Sequence, residues 1–213
     1  YPIVLNANNQ VVYNEKGEPI QMVYNFKEGS YTSKFDGGDA IYEDVNHDGQ
    51  INQLDIMYLG NSLPKLTGGF GFTLHYDKWR LSTQFNYRID YDIYNLARLN
   101  MESMNTNNNQ SEAVNYRWRK EGDVTSIPRA LSSFYMENYN NLISDRFIED
   151  GTFLRLNYLQ LSYTFDKRIV KKMHMSRLNL YVSANNLFCL TKYSGVDPEI
   201  GYGGEGISTD NSK

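Results

Sequence analysis

The feature that most constrains this chain is a run of period-two alternation beginning near residue 67. Within 68–76, Phe70, Phe72, Leu74 and Tyr76 share one face, with Gly69, Gly71, Thr73 and His75 on the other. Asp77 and Lys78 supply a two-residue reversal. Then Trp79, Leu81, Thr83, Phe85 and Tyr87 alternate with Arg80, Ser82, Gln84, Asn86 and Arg88. Successive strand side chains point to opposite faces, so this pattern predicts an antiparallel hairpin, apolar on one side and wet on the other. A third strand is expected over 153–165, where Leu159, Leu161, Tyr163 and Phe165 are in phase. Leu154, Leu156 and Tyr158 sit in the opposite phase, so the register slips at Tyr158–Leu159. A β-bulge there reconciles the two halves; otherwise only the second half faces an apolar medium. A fourth strand, 177–191, carries Leu178, Leu180, Val182, Ala184, Phe188 and Leu190 on one face, interrupted by Asn186.

The connections are unequal. Two residues join the first pair and about eleven join the third and fourth strands. The second and third are separated by a segment rich in Asn, Ser and Tyr (89–152), well beyond ordinary loop lengths. Short turns on one rim and long loops on the other are the asymmetry of an outer-membrane barrel. Roughly nine residues at ~3.3 Å each, tilted near 40°, cover about 23 Å, close to the ~25 Å apolar band of such barrels. Tyr76, Trp79, Tyr87, Tyr163 and Phe165 fall at strand ends, where an aromatic girdle belongs. Alternation by itself equally describes a soluble β-sandwich or a secreted, calcium-stabilised, carbohydrate-binding module. The loop asymmetry favours the barrel.

Several chemistries are excluded or unsupported. No window approaches the ~18 apolar residues of a membrane helix. A net charge of −4 argues against nucleic acid as a partner. Cys189 is the single cysteine, and His47, His75 and His174 are scattered without metal-ligand spacing. No nucleophile elbow, P-loop or dinucleotide fingerprint is present, so no enzyme is expected. The acid pairs Glu149–Asp150 and Asp197…Glu199 read as solvated turn residues. The Gly-rich stretch 201–206 lacks a strand-to-helix context. The cluster Arg117-Trp118-Arg119-Lys120 suits either a stacked ligand or a packing anchor. Lys167, Arg168, Lys171 and Lys172 around Ile169, Val170 and Met173 predict one short amphipathic turn.

The sharpest local motif is 44–55. Asp44, Asn46 and Asp48 stand at loop positions one, three and five, Gly49 at six, Ile51 at eight and Asp55 at twelve. Calcium takes six to eight hard oxygens, and this spacing wraps them around one ion. Gln50 is expected to contribute its backbone carbonyl, Asn52 to act through water and Asp55 to close the loop. Asp at the last position is one methylene shorter than the usual Glu, as in dockerin loops. With no second such loop beside it, calcium here is expected to be structural, pinning a surface loop before the first strand.

Upstream, the first forty residues are loop-like, with short β-capable runs at 3–5, 11–13 and 21–26. Several blocks together resemble the SusC/RagA family of TonB-linked outer-membrane transporters. They are 38–49 (GDAIYEDVNHDG), 59–70 (LGNSLPKLTGGF), 144–155 (SDRFIEDGTFLR), 181–188 (YVSANNLF) and 191–199 (TKYSGVDPE), in family order from about residue 38 to 201. The resemblance implies an all-β fold: an antiparallel transmembrane barrel of 22 strands with an N-terminal plug. The four strands here would be its eighteenth to twenty-first, in the C-terminal part. It also implies location in the outer membrane of a Gram-negative bacterium, with import of oligosaccharide or peptide fragments. A SusD-like surface lipoprotein would lie outside, and TonB, ExbB and ExbD would act through an N-terminal part absent from this sequence. On that map 1–66 is an extracellular loop region holding the calcium loop. Residues 67–192 hold four strands and the long extracellular loop (89–152), and 193–213 is a loop before a missing last strand. The chain begins at Tyr1 with no signal-like segment, so it is expected to be an excerpt.

Overall fold

A computed structural model describes residues 3–25, 33–105, 107–131 and 139–199. The Gly-rich stretch 201–206, most of 193–213 and the end of the 21–26 run lie outside the described residues. In chain order the elements are β1 (Val23–Tyr24), β2 (Ser33–Lys34), β3 (Gln50–Ile51), β4 (Leu66–Tyr76), β5 (Trp79–Ile89) and β6 (Asp92–Tyr94). They continue with α1 (Leu96–Glu102), β7 (Ile148–Asp150), β8 (Phe153–Thr164), α2 (Lys167–Lys172) and β9 (Asn179–Thr191). No helix among them is long and apolar enough to cross a membrane.

The chain divides into two compact units, Tyr1–Leu59 with Ala97–Phe147, and Gly60–Leu96 with Ile148–Lys213. The long 89–152 segment is thus not one loop: its two ends belong with the strands and its middle belongs with the N-terminal residues.

The second unit is built on a four-stranded antiparallel sheet in the order β4-β5-β8-β9. Its rows run across all four strands. On one face lie Tyr76, Trp79, Tyr163 and Leu180, then Leu74, Leu81, Leu161 and Val182. Phe70, Phe85, Leu156 and Phe188 follow, then Gly68, Tyr87, Leu154 and Leu190. The opposite face carries Thr73, Ser82, Gln160 and Ser183, then Gly71, Gln84, Tyr158 and Asn185. The apolar face is left open: Leu74 is 57%, Leu180 63% and Val182 73% exposed.

The expected bulge in β8 is present, one residue earlier than the sequence suggests. Pairing with both neighbours skips Asn157, so Leu156 faces Phe85 and Phe188 while Tyr158 faces Gln84 and Asn185. Tyr158 therefore joins the polar face rather than Leu154 and Leu156. The extra residue restores the phase, keeping every leucine of β8 on one side. β9 takes up the mismatch at Asn186, which adopts φ 51.

At the short-turn end, Trp79 and Tyr163 lie 4.9 Å apart between ring centroids, and Phe165 meets Tyr163 edge-on at 4.9 Å. Lys78 pairs with Asp166 across the two turns. That bond, from an ammonium to a carboxylate, raises the Lys78 pKa above its ordinary value. The predicted amphipathic turn is α2, which buries Val170 and leaves Ile169 and Met173 exposed.

At the other end a small core of Tyr91, Ile93, Phe153 and Tyr193 closes over the sheet, against the β6·β7 ribbon. Gly151 fits there because a Cβ would stand 2.6 Å from the Tyr91 ring and 2.8 Å from Ile93 Cδ1. Gly151→Val is therefore expected to cost about 1–3 kcal/mol by overpacking. It should appear as a lowered urea midpoint with an unchanged slope, whereas an unchanged midpoint would mean this core yields freely.

Candidate calcium loop and the ion-paired end of the sheet

The predicted metal residues lie in the first unit, on a short parallel pairing of β1 with β3. Asp44 is 5% exposed and accepts from the backbone N–H of Asp48 at 3.2 Å and of Gly49 at 2.8 Å. Asn46 Oδ1 also accepts from Asp48 N–H, and its amide donates to the Asp48 carboxylate at 3.0 Å. Asp48 accepts from Gln50 N–H at 2.8 Å. Asp55 joins the two ends of the loop, taking Val45 N–H at 2.9 Å and Asn52 N–H at 2.8 Å. Asn52 in turn caps the short 3₁₀ turn Gln53–Asp55, accepting from Leu54 N–H. The Gln50 side chain accepts from Asn25 at 2.9 Å. Gly49 has φ 83, and Val4 Cγ2 lies 2.9 Å from where its Cβ would stand, so this position needs glycine twice over. Five of the six residues thus order the loop through local hydrogen bonds, and Gln50 ties it to the segment after β1. Among the described residues no three His, Cys, Asp or Glu side chains are gathered at metal-ligating distance.

The same unit explains the Arg117–Lys120 cluster. The Trp118 ring lies where a Gly38 Cβ would be, 2.2 Å from that position, and Gly38 has φ 84. Trp118 is thus a packing anchor on the Gly37–Gly38 turn. Beside it Arg129 donates to Asp39 through Nε at 2.6 Å and Nη2 at 3.1 Å, and Asn140 donates to the same carboxylate at 3.2 Å. The Asp39 side chain is fully buried, which is sustainable because both its oxygens are bonded.

In the second unit, the acid pairs that read as solvated turn residues hold the chain down instead. Asp197 takes Arg155 through both terminal nitrogens, one of them at 3.1 Å. Glu199 approaches Arg155 Nε at 3.6 Å and accepts from Asn86 at 3.2 Å. Glu149 accepts from Ser194 N–H and Oγ, both at 2.8 Å, and from Asn95 at 3.2 Å. Hydrogen bonds from Thr152 hold the Asp150 carboxyl below the usual range. Tyr91 donates to the Pro198 carbonyl at 2.6 Å, and burial pushes its pKa up to about 12. Residues 193–199 are therefore strapped across the polar face at the long-loop end. Sequence reading missed Arg155 as a hub; a lone Arg in phase with polar strand residues was the available signal.

No family model matches the chain. It is 30% identical over 175 residues to TonB-dependent receptor P39 of Formosa agariphila, a match covering 80% of this chain and 17% of that protein. The chain belongs to the TonB-dependent receptors. To the TonB-dependent receptor SusC of Bacteroides thetaiotaomicron it is 27% identical, over 90% of this chain and 16% of SusC. It therefore spans about a sixth of the length of the receptors it matches. A solved structure of the RagAB peptide importer, in its closed-closed state, superposes with TM-score 0.59. That match has 19% identity and covers 93% of this chain and 18% of that one, so the likeness is one of fold. These relatives are receptors and transporters, not enzymes.

The raised Tyr91 pKa has a definite sign. The unfolded receptor releases the phenol proton near pH 10 and the folded one only near 12. The stability tied to this buried phenol is whole below pH 10 and is lost as pH rises toward about 12. Tyr91→Phe should remove that part of the alkaline slope, measured as the pH dependence of the unfolding midpoint. An identical slope in both proteins would sink the assignment.

Proposed function

We propose that this chain supplies strands of an outer-membrane barrel in a TonB-dependent importer of a Gram-negative bacterium. The observation that carries the reading is the sheet itself, with a continuous, exposed apolar face backed by a hydrogen-bonding one. An apolar patch of this size needs a cover, and lipid supplies it when the polar face lines a lumen. Kinship with receptors favours this over a secreted calcium-stabilised module, which leaves the same face bare. The short turns lie toward the periplasm and the calcium loop with the 89–152 segment lies outside.

The proposed cargo is oligosaccharide or peptide fragments, taken up with a SusD-like surface lipoprotein and driven by TonB, ExbB and ExbD; similarity to SusC and likeness of fold to the RagAB peptide importer support this reading. Cells bearing the full-length receptor should accumulate labelled oligosaccharide or oligopeptide, and deletion of TonB or of the lipoprotein should abolish this. Uptake that persists in both deletions would exclude the reading. On the sheet, Leu161→Arg should cost about 2–4 kcal/mol near the bilayer midplane and Gln160→Arg little. Urea unfolding of the receptor in lipid vesicles measures this, and equal costs would contradict the orientation.

The loop 44–55 is proposed to take one structural Ca²⁺. Each carboxylate offers about four acceptor sites, so hydrogen bonds from backbone amides leave lone pairs on Asp44, Asp48 and Asp55. Asn46, the Gln50 carbonyl and a water on Asn52 complete an oxygen set suited to a hard cation. Mixed donors of this kind do not require three clustered acids. Ca²⁺ at about 100 times its Kd should stabilise the fold around the loop by ~2.7 kcal/mol. In calorimetry, chelator should remove that gain and Asp48→Ala should abolish it; identical melting with and without Ca²⁺ would eliminate the ion.

A further inference from the structure

Trp118 does more than hold a turn. Its ring is half-buried, and beside it the first unit contains a cavity of about 450 Å³ lined by Trp118, Arg129, Asp36 and Glu121. The rest of the wall is glycine, at Gly37, Gly38 and Gly122. Nothing lies within 4 Å of where a Gly122 Cβ would be, so the rim is open there. The polar groups are held in place by the fold. Arg129 is fixed from behind by buried Asp39 through Nε and Nη2, and its backbone N–H donates to the Gly38 carbonyl at 2.7 Å. Its Nη1 lies 3.7 Å from the Asp36 carboxylate, which also accepts from Gly37 N–H at 2.8 Å. Glu121 sits at the tip of a turn closed by Asp123, whose carboxylate takes the N–H groups of Arg119 and Lys120 at 3.0 and 3.1 Å. Those two bonds hold the Asp123 carboxyl below its usual range.

We propose that this cavity is a saccharide subsite, seating part of a neutral oligosaccharide between the Trp118 ring and the side chains of Asp36, Glu121 and Arg129. The proposal rests on the importer reading above and narrows its cargo to oligosaccharide. Three observations select the ligand. The lining carries both signs of charge, so an anion meets Asp36 and Glu121 while a cation meets Arg129. A hydroxyl donates to the carboxylates and accepts from the guanidinium, and so satisfies both. The wall also joins an aromatic ring and bare glycine to a few convergent polar groups. A sugar ring has the matching duality, with C–H faces and a rim of hydroxyls. Finally, the turn beside Trp118 has its backbone occupied, Gly37 N–H by Asp36 and the Gly38 carbonyl by Arg129. None of the lining residues belongs to a strand, so the cavity offers no edge of the kind that captures an extended peptide.

The test uses the full-length receptor in detergent, with maltohexaose, cellohexaose, laminarihexaose and mannohexaose as probes and carbene footprinting read by mass spectrometry. At least one probe should protect 36–38 and 118–122 together, and Trp118→Ala should raise its Kd about ten-fold. Because Trp118 also packs on a turn, Glu121→Ala provides a second variant: it trims an exposed side chain and should weaken the same binding about three-fold. Trp118→Tyr should restore part of what Trp118→Ala loses. Failure of all four probes to protect these segments overturns the proposal, and so does an unchanged Kd in Glu121→Ala. Stronger protection by tetra-arginine or tetraglutamate overturns it as well, in favour of a charged peptide. Uptake of the labelled probe by cells separates this proposal from the reading beneath it. TonB-dependent uptake with wild-type affinity in both variants refutes the subsite alone, whereas uptake that ignores TonB deletion refutes the importer.

Discussion

A sheet with one apolar and one polar face is governed by parity. Each strand residue added or lost exchanges the faces of everything beyond it, so a single uncompensated slip would turn Leu154 and Leu156 to the polar face and Arg155 to the apolar one. The extra residue at Asn157 is the correction, and the irregularity at Asn186 lets β9 follow it without losing its own phase. Everything else in the second unit depends on that alignment. The unbroken leucine rows and the place of the Arg155 guanidinium on the polar face are consequences of the same two local defects.

Outside the strands, order comes from a different source. The first unit has a modest apolar cluster around Phe35, Tyr24 and Ile51. Its irregular segments are fixed by side chains that replace missing backbone partners. Asp44, Asn46, Asp48, Asn52 and Asp55 each take amide hydrogens, and Asp39 anchors Arg129 and Asn140. A buried carboxylate is costly unless fully bonded, so these contacts specify the path of the chain narrowly. Glu102 does the same, held by Arg98 at 2.9 Å and Arg146 at 2.6 Å.

What the sequence disclosed was what repeats or keeps fixed spacing. The four strands and their polarity were legible from period two, and the bulge from a phase conflict, though misplaced by one residue because Tyr158 suits either face. The loop 44–55 was legible from its spacing. The long segment 89–152 was not: its division between two units depends on contacts such as Trp118 on Gly38 or Glu149 on Ser194, which join residues 45 or more positions apart and leave no periodic trace. Asp197 and Glu199 looked like solvated turn acids for the same reason, since Arg155 lies 42 positions away in sequence and only the folded sheet brings it near.

The two central rows of the polar face, Thr73–Ser82–Gln160–Ser183 and Gly71–Gln84–Tyr158–Asn185, hold no ionisable carboxylate, ammonium or guanidinium. Hydroxyls and amides exchange partners cheaply because every one of them both gives and accepts a hydrogen bond. A polar group set against those rows meets hydroxyls and amides but no fixed charge. Fixed charge on the polar face of these strands stands toward its ends, at Arg80 by the short turns and at Arg155 with its two acids by the long connections.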